Sequence, residues 1–205
     1  MTEKFTVYLV DDDAGVLKAL SRLLRAKGHD VKPYSSPQVF LEEHDVAVPG
    51  CVVLDVSMPG LDGLEIQRVL TTASGYHRPV VFVTGKGDIP TSVRAMKAGA
   101  IDFLTKPVKD KDLFEAVSRA EARDAESRRL HSELESIQAK VSNLTPRERE
   151  VLTHVVAGRL NKQIAGDLGT VEKTIKVHRS RMMEKLGIRM VADLVRMAEK
   201  LNLSK

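Results

Sequence analysis

The chain has 205 residues, of which 42% are hydrophobic and 29% are charged, so it contains enough apolar material for two modest domains. No stretch approaches the roughly 20 apolar residues that a membrane helix needs, and residues 1–6 lack the basic and apolar segments of a signal peptide. The single cysteine, Cys51, has no partner for an internal disulfide. These features predict a protein of the reducing cytoplasm with no membrane partner.

Charge is divided unevenly along the chain. Residues 126–205 contain 16 Lys and Arg against 10 Asp and Glu, a net charge of +6, whereas residues 1–125 contain 16 against 18, a net charge of −2. A basic second part predicts an anionic partner for that part, and nucleic acid is the anion that such a patch most often binds.

Five apolar runs alternate with helical patterns in the first 120 residues. The runs are mostly continuous, which is typical of parallel strands covered on both faces. Pro33 lacks an amide hydrogen and confines the second strand to a sheet edge. Alternating βα units predict an α/β domain with a doubly wound parallel sheet. The predicted strands cover residues 5–10, 30–34, 51–54, 79–83 and 100–104, and helices follow them after Asp13, at Pro37, at Gly63, at about Thr91 and near Asp110.

Polar side chains follow four of the five predicted strands. Asp11 and Asp12 end the first, Asp55 the third, Thr84 the fourth and Lys106 the fifth. Taken one at a time, the three Asp residues are more often helix caps or turn residues, Thr84 a loop residue and Lys106 a surface residue. Because the carboxyl ends of parallel strands share one edge, we expect the five side chains to meet there.

The chemistry of this set points to phosphoryl transfer. Three crowded carboxylates repel one another unless a cation lies among them, and oxygen ligands with room for water favour Mg²⁺. The Thr84 hydroxyl and the Lys106 ammonium suit a phosphoryl group beside that metal. Asp55 is then the predicted nucleophile, because a carboxylate can attack phosphorus and form an acyl phosphate.

The motifs around these positions carry a resemblance to a known family. They read Val-Asp-Asp-Asp from residue 10, Leu-Asp-Val-Ser-Met-Pro-Gly from residue 54, Val-Thr-Gly from residue 83 and Phe-Leu-Thr-Lys-Pro from residue 103. With them, residues 4–123 resemble the receiver domain of two-component response regulators. The resemblance implies a flavodoxin-like (βα)5 fold with strand order 2-1-3-4-5, and a sensor histidine kinase as phosphoryl donor.

The same resemblance assigns roles to individual residues. Mg²⁺ would be held by Asp12, Asp55 and the backbone carbonyl of Ser57, with Asp11 behind them. Lys106 would bind the phosphoryl oxygens through a chain that continues into a cis bond to Pro107. Asp55 would accept the phosphoryl group and could lose it again by hydrolysis, without the chain being a turnover enzyme.

A switch and a dimer face are also implied by the resemblance. Thr84 would move toward the phosphoryl group while Phe103 rotates inward, although plain core packing explains Phe103 equally well. Gly-Lys-Gly-Asp-Ile-Pro from residue 85 and Ala-Met-Lys-Ala-Gly-Ala from residue 95 are similar to FixJ-type regulators. Those dimerise through the fourth helix and fifth strand, which here would engage Val93, Lys97 and Asp102.

Two residues depart from the FixJ-type pattern. Ser57 stands where such proteins usually carry Arg, and Lys86 where they usually carry His. Both flank the predicted acceptor, so the lifetime of the phosphoryl group does not carry over from the family.

A helical linker is predicted for residues 124–142. No Pro or Gly lies between residues 111 and 140, so the last receiver helix is expected to run on through it. Its apolar residues recur at intervals of 4, 3, 4 and 3, which fits either a coiled coil between paired chains or a stripe packed on one of the chain's own domains. The stripe consists of Leu130, Leu134, Ile137, Val141 and Leu144.

The second predicted domain, residues 143–205, reads as four short helices. Thr145, followed by Pro146 and by Glu148, forms a capping box. Asn161 and Thr170 are the predicted caps of the next two helices, which a Gly turn joins as in helix-turn-helix proteins. In the third helix the predicted buried stripe is Val171, Ile175, His178, Met182 and Leu186, with His178 as a structural residue.

The other face of this helix is basic, which fits a DNA major groove, although basic faces are more often merely solvated. Leu-Thr-Pro-Arg-Glu-Arg-Glu-Val-Leu from residue 144, Asn-Lys-Gln-Ile-Ala from residue 161 and Thr-Ile-Lys-Val-His-Arg from residue 174 resemble LuxR/NarL-type DNA-binding domains. By that resemblance Lys176, Val177 and Ser180 face bases, although some relatives carry Lys in place of Ser180. Lys173, Arg179 and Arg181 complete the predicted DNA-binding set.

Together the two resemblances predict a transcription regulator that dimerises and binds promoter DNA when Asp55 is phosphorylated, with RNA polymerase as a further partner. Two alternatives stand beside it. A phosphatase of the haloacid dehalogenase type also uses strand-end Asp residues, but it needs Thr four positions after the first of them, where this chain has Gly15. A constitutive DNA binder would use the receiver only for pairing.

Overall fold

The computed structural model describes residues 4–72, 77–85 and 88–201. The contacts divide the chain into two compact units, residues 1–129 and residues 130–205. In chain order the elements are β1 (Thr6–Val10), α1 (Ala14–Ala26), β2 (Asp30–Tyr34), α2 (Pro37–Glu43), β3 (Gly50–Asp55), α3 (Gly63–Thr72), β4 (Val80–Thr84), α4 (Ile89–Lys97), β5 (Asp102–Thr105), α5 (Asp110–Ser142), α6 (Pro146–Val156), α7 (Asn161–Asp167), α8 (Glu172–Leu186) and α9 (Val191–Lys200).

The first unit contains a parallel sheet with the order β2-β1-β3-β4-β5. This confirms the predicted α/β architecture and strand order. Pro33 lies in β2 at the sheet edge and pairs only with β1, where its missing amide hydrogen does no harm.

Both faces of the sheet are buried, which explains the continuous apolar runs. In β1, Val7 and Leu9 join a core with α1 and α5, whereas Tyr8 and Val10 join a second core on the opposite face. The same alternation holds in β3 and β4, so a strand that is apolar at every position has both sets of side chains covered.

Helix α4 starts two residues before its predicted start. Asp88 is its N-cap, with Oδ1 accepting a hydrogen bond from the Thr91 amide at 2.7 Å, and Pro90 occupies the first turn. Strand β5 begins at Asp102 rather than at residue 100. Both differences concern the ends of elements, which an apolar pattern locates only to within a few residues; for α4 the Asp88 cap sets the start.

Helix α5 is continuous over 33 residues, so the helix that begins at Asp110 runs on through residues 124–142, as predicted. Its first part buries Leu113, Ala116, Val117 and Ala120 against the sheet. The next residue in this stripe is a buried acid, Asp124, with a side chain that is 2% exposed.

Two arginines from distant parts of the first unit hold the loop of residues 45–48. Arg78 is buried and donates through Nη2 to the carbonyl oxygens of residues 45 and 48, at 2.7 and 3.1 Å. Arg128 of α5 donates to the carbonyl oxygens of residues 46, 47 and 48, at 2.8, 2.8 and 2.7 Å. Asp124 accepts from Nε of Arg128 at 3.0 Å. No sequence pattern predicts this arrangement, because it joins residues that lie far apart along the chain.

The second unit packs α6 to α9 around one apolar core. Thr145 caps α6 in the predicted capping box with Glu148. The predicted caps of α7 and α8 are wrong by one residue in opposite directions, because Leu160 and Val171 occupy those positions. Val171 is 65% exposed rather than buried, since it precedes the helix and its side chain does not follow the helical period.

Part of the 4-3-4-3 stripe packs on the second unit's own core. Ile137 and Val141 of α5 pack against this core, and Leu144 is buried in it. Leu130, at the start of the stripe, is 44% exposed. Of the two interpretations of the stripe, packing on one of the chain's own domains therefore accounts for these three residues.

Glu148 is buried and forms an ion pair at 2.7 Å with Lys185 of α8, whose side chain is 38% exposed, and Glu148 also accepts from the Thr145 amide at 2.9 Å. The hydrogen bond from Lys185 lowers the pKa of Glu148 below its ordinary value, and burial opposes this without cancelling it. The carboxylate thus connects α6 to α8 only while it is ionised.

Among residues 4–72, 77–85 and 88–201, none of the helices has the length and hydropathy of a membrane span.

We expect Glu148→Gln to destabilise the second unit by about 1–3 kcal/mol at pH 7, because Lys185 loses its charged partner. A lowered pKa in the folded state contributes stability above the unfolded value of about 4.3, and this is lost as pH falls through the folded pKa. Thermal unfolding should therefore show a difference between variant and wild type at pH 7 that becomes smaller at pH 3. Glu150→Gln, at an exposed pair with Arg147, is the control. An equal loss at both pH values would contradict the assignment.

Candidate functional site

Asp55 lies at the carboxyl end of β3, in the centre of the sheet. Its side chain is 5% exposed, and Oδ2 accepts a hydrogen bond from the Ser57 amide at 2.7 Å. Gly63 packs against the backbone of Asp55, where a Cβ atom would come within 2.6 Å of the Asp55 carbonyl oxygen. The turn after β3 therefore holds the carboxylate in one orientation.

Lys106 brings the ends of four strands together. It follows β5, and its ammonium nitrogen lies 2.7 Å from Oδ2 of Asp11 and 2.9 Å from Oδ1 of Asp55. Its amide donates to the carbonyl oxygen of Thr84 at the end of β4, at 2.7 Å. The Lys106–Pro107 bond is cis, as the resemblance implies.

Burial and the neighbouring charges act in opposite directions on the pKa of Asp55 and on that of Lys106. Burial raises the pKa of Asp55 above its ordinary value, and the hydrogen bonds from Lys106 and the Ser57 amide oppose this only in part. Burial tends to lower the pKa of Lys106, but its hydrogen bonds to Asp11 and Asp55 outweigh burial and raise it. Lys106 therefore stays protonated at neutral pH and supplies the countercharge for two buried carboxylates.

The cleft above Asp55 is lined by acidic residues from the end of β1. Asp12 and Asp13 line it together with Asp55, Ser57 and Lys106. Asp11 is not among the residues that line the cleft. It is 4% exposed, and its Oδ1 accepts a hydrogen bond from the Asp13 amide at 2.9 Å. The structure thus places the predicted carboxylates, the lysine and Ser57 around one opening.

Asp13 has a role that sequence reasoning missed. Its Oδ1 caps α1 by accepting from the amides of Gly15 and Val16, at 2.7 and 3.2 Å. An Asp directly before a helical pattern is the usual signal for such a cap. The cap orients the segment that carries Asp11 and Asp12.

The oxygen donors of the cleft fit a magnesium ion. In the described ranges, no three His, Cys, Asp or Glu side chains form a ready metal cluster. Mg²⁺ keeps several waters, however, and needs only one or two carboxylates. Asp12, Asp55 and Ser57 share the cleft and offer carboxylate and carbonyl oxygens to such an ion.

Comparison of the chain with known proteins shows the family to which it belongs. Residues 7–118 match the response regulator receiver domain, and residues 142–198 match the bacterial regulatory proteins of the luxR family. The chain is 41% identical to Nodulation protein W of Bradyrhizobium diazoefficiens, over 98% of this chain and 88% of that protein. It is 41% identical to the transcriptional regulatory protein FixJ of Azorhizobium caulinodans, over 97% and 93%. The solved structure of the response regulator StyR has 45% identity and a TM-score of 0.80, covering 96% of this chain and 99% of that one.

The chain belongs to this family of response regulators. It joins a receiver to a LuxR-type DNA-binding domain, as DNA-binding transcription regulators of two-component systems do. Receivers in this family typically bind Mg²⁺ at the acidic pocket. The FixJ-type resemblance predicted from the motifs is thereby confirmed.

The two predicted switch residues lie on neighbouring strands, Thr84 on β4 and Phe103 on β5. Thr84 ends β4 and is buried, at 1% exposure. Phe103 in β5 is half-buried, with its ring 6.1 Å from that of Phe82. The contact with Phe82 agrees with core packing, and the inward rotation of Phe103 stays a prediction. Of the two departures from the FixJ-type pattern, Ser57 is exposed beside Asp55, whereas Lys86 lies outside the described residues.

The predicted dimer face is partly engaged within the chain. Val93 and Lys97 are exposed on α4, whereas Asp102 accepts a hydrogen bond from Arg119 of α5. Two exposed apolar residues of α4 that the sequence analysis did not single out lie on the same helix, Ile89 at 79% and Met96 at 46% exposure. Their spacing of seven residues from each other, with Val93 between, was the available signal.

Most of the predicted DNA-binding residues are exposed on α8. Lys176 pairs with Glu172 one turn earlier, at 3.0 Å, an exposed pair of small energetic value. Arg179 differs from the others, because it is half-buried and donates to Oδ1 of Asn161 at 3.0 Å. It connects α8 to the start of α7. The remaining exposed members are Lys173, Val177, Ser180 and Arg181.

We expect Lys106→Met to lower the thermal stability of the receiver in metal-free buffer by about 1–3 kcal/mol, because Asp11 and Asp55 lose their countercharge. Added Mg²⁺ should recover more of the loss in this variant than it adds to the wild type. Thermal melts with EDTA and with Mg²⁺ measure both effects, and Lys109→Met, at an exposed position three residues on, is the control. A variant as stable as the wild type in EDTA would contradict the role of Lys106.

Proposed function

We propose that this chain acts in the cytoplasm, where Asp55 accepts a phosphoryl group from a sensor histidine kinase, and that this promotes pairing of two chains and binding to promoter DNA. The observation that carries the proposal is the geometry of Asp55. Its two oxygens are held by the Lys106 ammonium at 2.9 Å and the Ser57 amide at 2.7 Å, at the base of an open acidic cleft.

The proposed transfer begins with this fixed carboxylate. An oxygen of Asp55 attacks the phosphorus of a phosphohistidine on the kinase, so an O–P bond forms while the N–P bond breaks. The electron pair of the broken bond stays on the imidazole nitrogen. The hydrogen bonds to Asp55 keep its oxygens from turning away, which favours an in-line approach.

Transfer moves negative charge from Asp55 to the phosphoryl oxygens. The Lys106 ammonium, whose raised pKa keeps it protonated, follows this charge by exchanging its Asp55 partner for a phosphoryl oxygen. Mg²⁺, held by Asp12, Asp55 and the Ser57 carbonyl with Asp11 behind, would neutralise charge on the same oxygens. Water that enters the open cleft can hydrolyse the acyl phosphate, which makes the modification reversible.

The proposed response uses Thr84, which moves toward the phosphoryl group, and Phe103, which turns inward behind it. The surface of α4 and β5 then pairs with a second chain through Val93, Lys97 and Asp102. Since Asp102 already binds Arg119 within the chain, pairing with Lys97 of another chain requires it to share or exchange that partner.

The proposed output is a dimer that binds two DNA half-sites. Lys173, Lys176, Val177, Ser180 and Arg181 would line the major groove, with Arg179 supporting them from the side. Promoter DNA is the principal partner and RNA polymerase a further one. The proposed domains are the receiver at 1–123, the helical linker at 124–142 and the DNA-binding domain at 143–205.

Phosphorylation is tested with a small phosphodonor and Mg²⁺. We expect one phosphoryl group per wild-type chain by intact mass, none on Asp55→Asn, and a donor-dependent rise in DNA affinity only in the wild type. Asp62→Asn, which keeps its capping oxygen for the Glu65 amide, is the control and should match the wild type. Repeated turnover of phosphomonoesters would favour the phosphatase alternative. Donor-dependent DNA binding that survives in Asp55→Asn would refute the phospho-switch.

Salt dependence separates the two kinds of DNA contact. We expect Arg181→Ala to reduce the slope of log affinity against log salt by about 0.9, as for one lost phosphate contact, without changing sequence preference. Lys176→Ala should instead reduce discrimination against mismatched sites by about 1–3 kcal/mol. Fluorescence anisotropy with a duplex selected from a random library measures both. Arg196→Ala, an exposed cation on α9, is the control, and equal slope changes in all three variants would contradict the assignment.

A further inference from the structure

Two aliphatic side chains are exposed on or beside α8, among its cations. Val171, directly before the helix, is 65% exposed, and Val177 is 44% exposed. The other aliphatic residues of α8, Ile175 and Leu186, are buried in the core of the unit. The two valines therefore lie outside this core, with much of each side chain open to solvent.

Val171 is also unfavourable for the helix itself. It occupies the N-cap of α8 in an extended conformation, and its side chain makes no hydrogen bond to the first turn. Ser, Thr, Asp or Asn at this position would accept a hydrogen bond from a first-turn amide and stabilise the helix. Helix α6 of the same unit has such a cap in Thr145. One residue thus combines a missing cap with an apolar side chain in solvent.

A DNA major groove supplies a partner for such a side chain. The recognition helix of a helix-turn-helix domain places its N-terminal residues against base edges. The apolar group displayed there is the C5-methyl of thymine, which valine contacts favourably. Lys173, two residues after Val171, and Lys176 are exposed and supply charge that is complementary to DNA.

We propose that Val171 is a specificity-determining residue that packs against a thymine methyl group in the target site. This inference rests on the proposed role of α8 in DNA binding. Val171 lies at the N-terminal end of α8 and Val177 lies about one and a half turns into the helix, so the thymine read by Val171 is a different base from the one that Val177 meets.

The test replaces each thymine of a selected duplex in turn by deoxyuridine, which lacks only the methyl group. For the wild-type chain we expect one replacement to weaken binding about three- to fivefold, the value of one buried methyl or methylene group. In Val171→Ser the same replacement should have no effect, while other positions keep their wild-type response. Val171→Thr, which keeps one methyl group, should show a smaller loss at that position.

The unfolding temperature provides a second measurement, in which Val171→Ser should gain although it loses thymine discrimination. Val171→Ser supplies the missing cap, so its unfolding temperature should rise. Met190→Ser is the matched control, because Met190 is likewise an apolar N-cap without a side-chain hydrogen bond and is 61% exposed at the start of α9. It should gain stability and keep the wild-type uridine profile.

The outcomes separate this inference from the function on which it rests. If the wild-type chain binds a specific duplex but Val171→Ser keeps the full wild-type uridine profile, Val171 does not read a methyl group and the inference is overturned. If no single uridine weakens wild-type binding, it is overturned as well. If the wild-type chain binds no duplex specifically, the proposed function fails together with it.

Discussion

The ammonium of Lys106, placed between the carboxylates of Asp11 and Asp55, is the interaction on which the receiver depends. These three groups come from the ends of three different strands, and the two acids are almost fully buried. Buried carboxylates without a countercharge are costly, and repulsion between two of them adds to that cost. The lysine therefore lets the sheet converge on an acidic edge.

The same pairing gives the cleft its chemistry. Since Lys106 is held by carboxylates rather than by packing alone, it is already at the point where a phosphoryl group would add charge. Replacing one anionic partner by another requires little movement of the protein, which is the meaning of a preorganised site. Asp13 contributes from outside this group by fixing the first turn of α1.

The positions of Asp11, Asp55 and Lys106 were predictable because parallel strands deliver their carboxyl ends to a common edge. The apolar runs located those ends to within a residue. Because side chains alternate along a strand, the position of the next side chain followed from the end of the run. Asp13 could have been recognised as well, from its place before a helical pattern. Strong periodicity and fixed connectivity made this part of the fold readable.

Other features left weaker traces in the sequence. The exposure of Val171 was missed because a helical period was extended one residue past the helix start. Arg179 was grouped with the exposed cations, although Asn161 on a neighbouring helix holds it. Such side-chain contacts between elements depend on the tertiary arrangement, which periodicity within one element does not encode.

The loop of residues 45–48 has a consequence for how this sequence can vary. Arg78 and Arg128 bind its carbonyl oxygens, and every amino acid carries a carbonyl oxygen. Asp45 is also held through its side chain, since Oδ1 accepts from the Ala47 amide at 2.8 Å, whereas substitutions at residues 46–48 keep these acceptors wherever they accept the same backbone conformation. Arg78 and Arg128 have no such freedom, because lysine lacks the planar fork that reaches several acceptors at once. In this region the choice of amino acid is therefore restricted mainly at two arginines that are distant in sequence, and less at the loop positions whose carbonyl oxygens they bind.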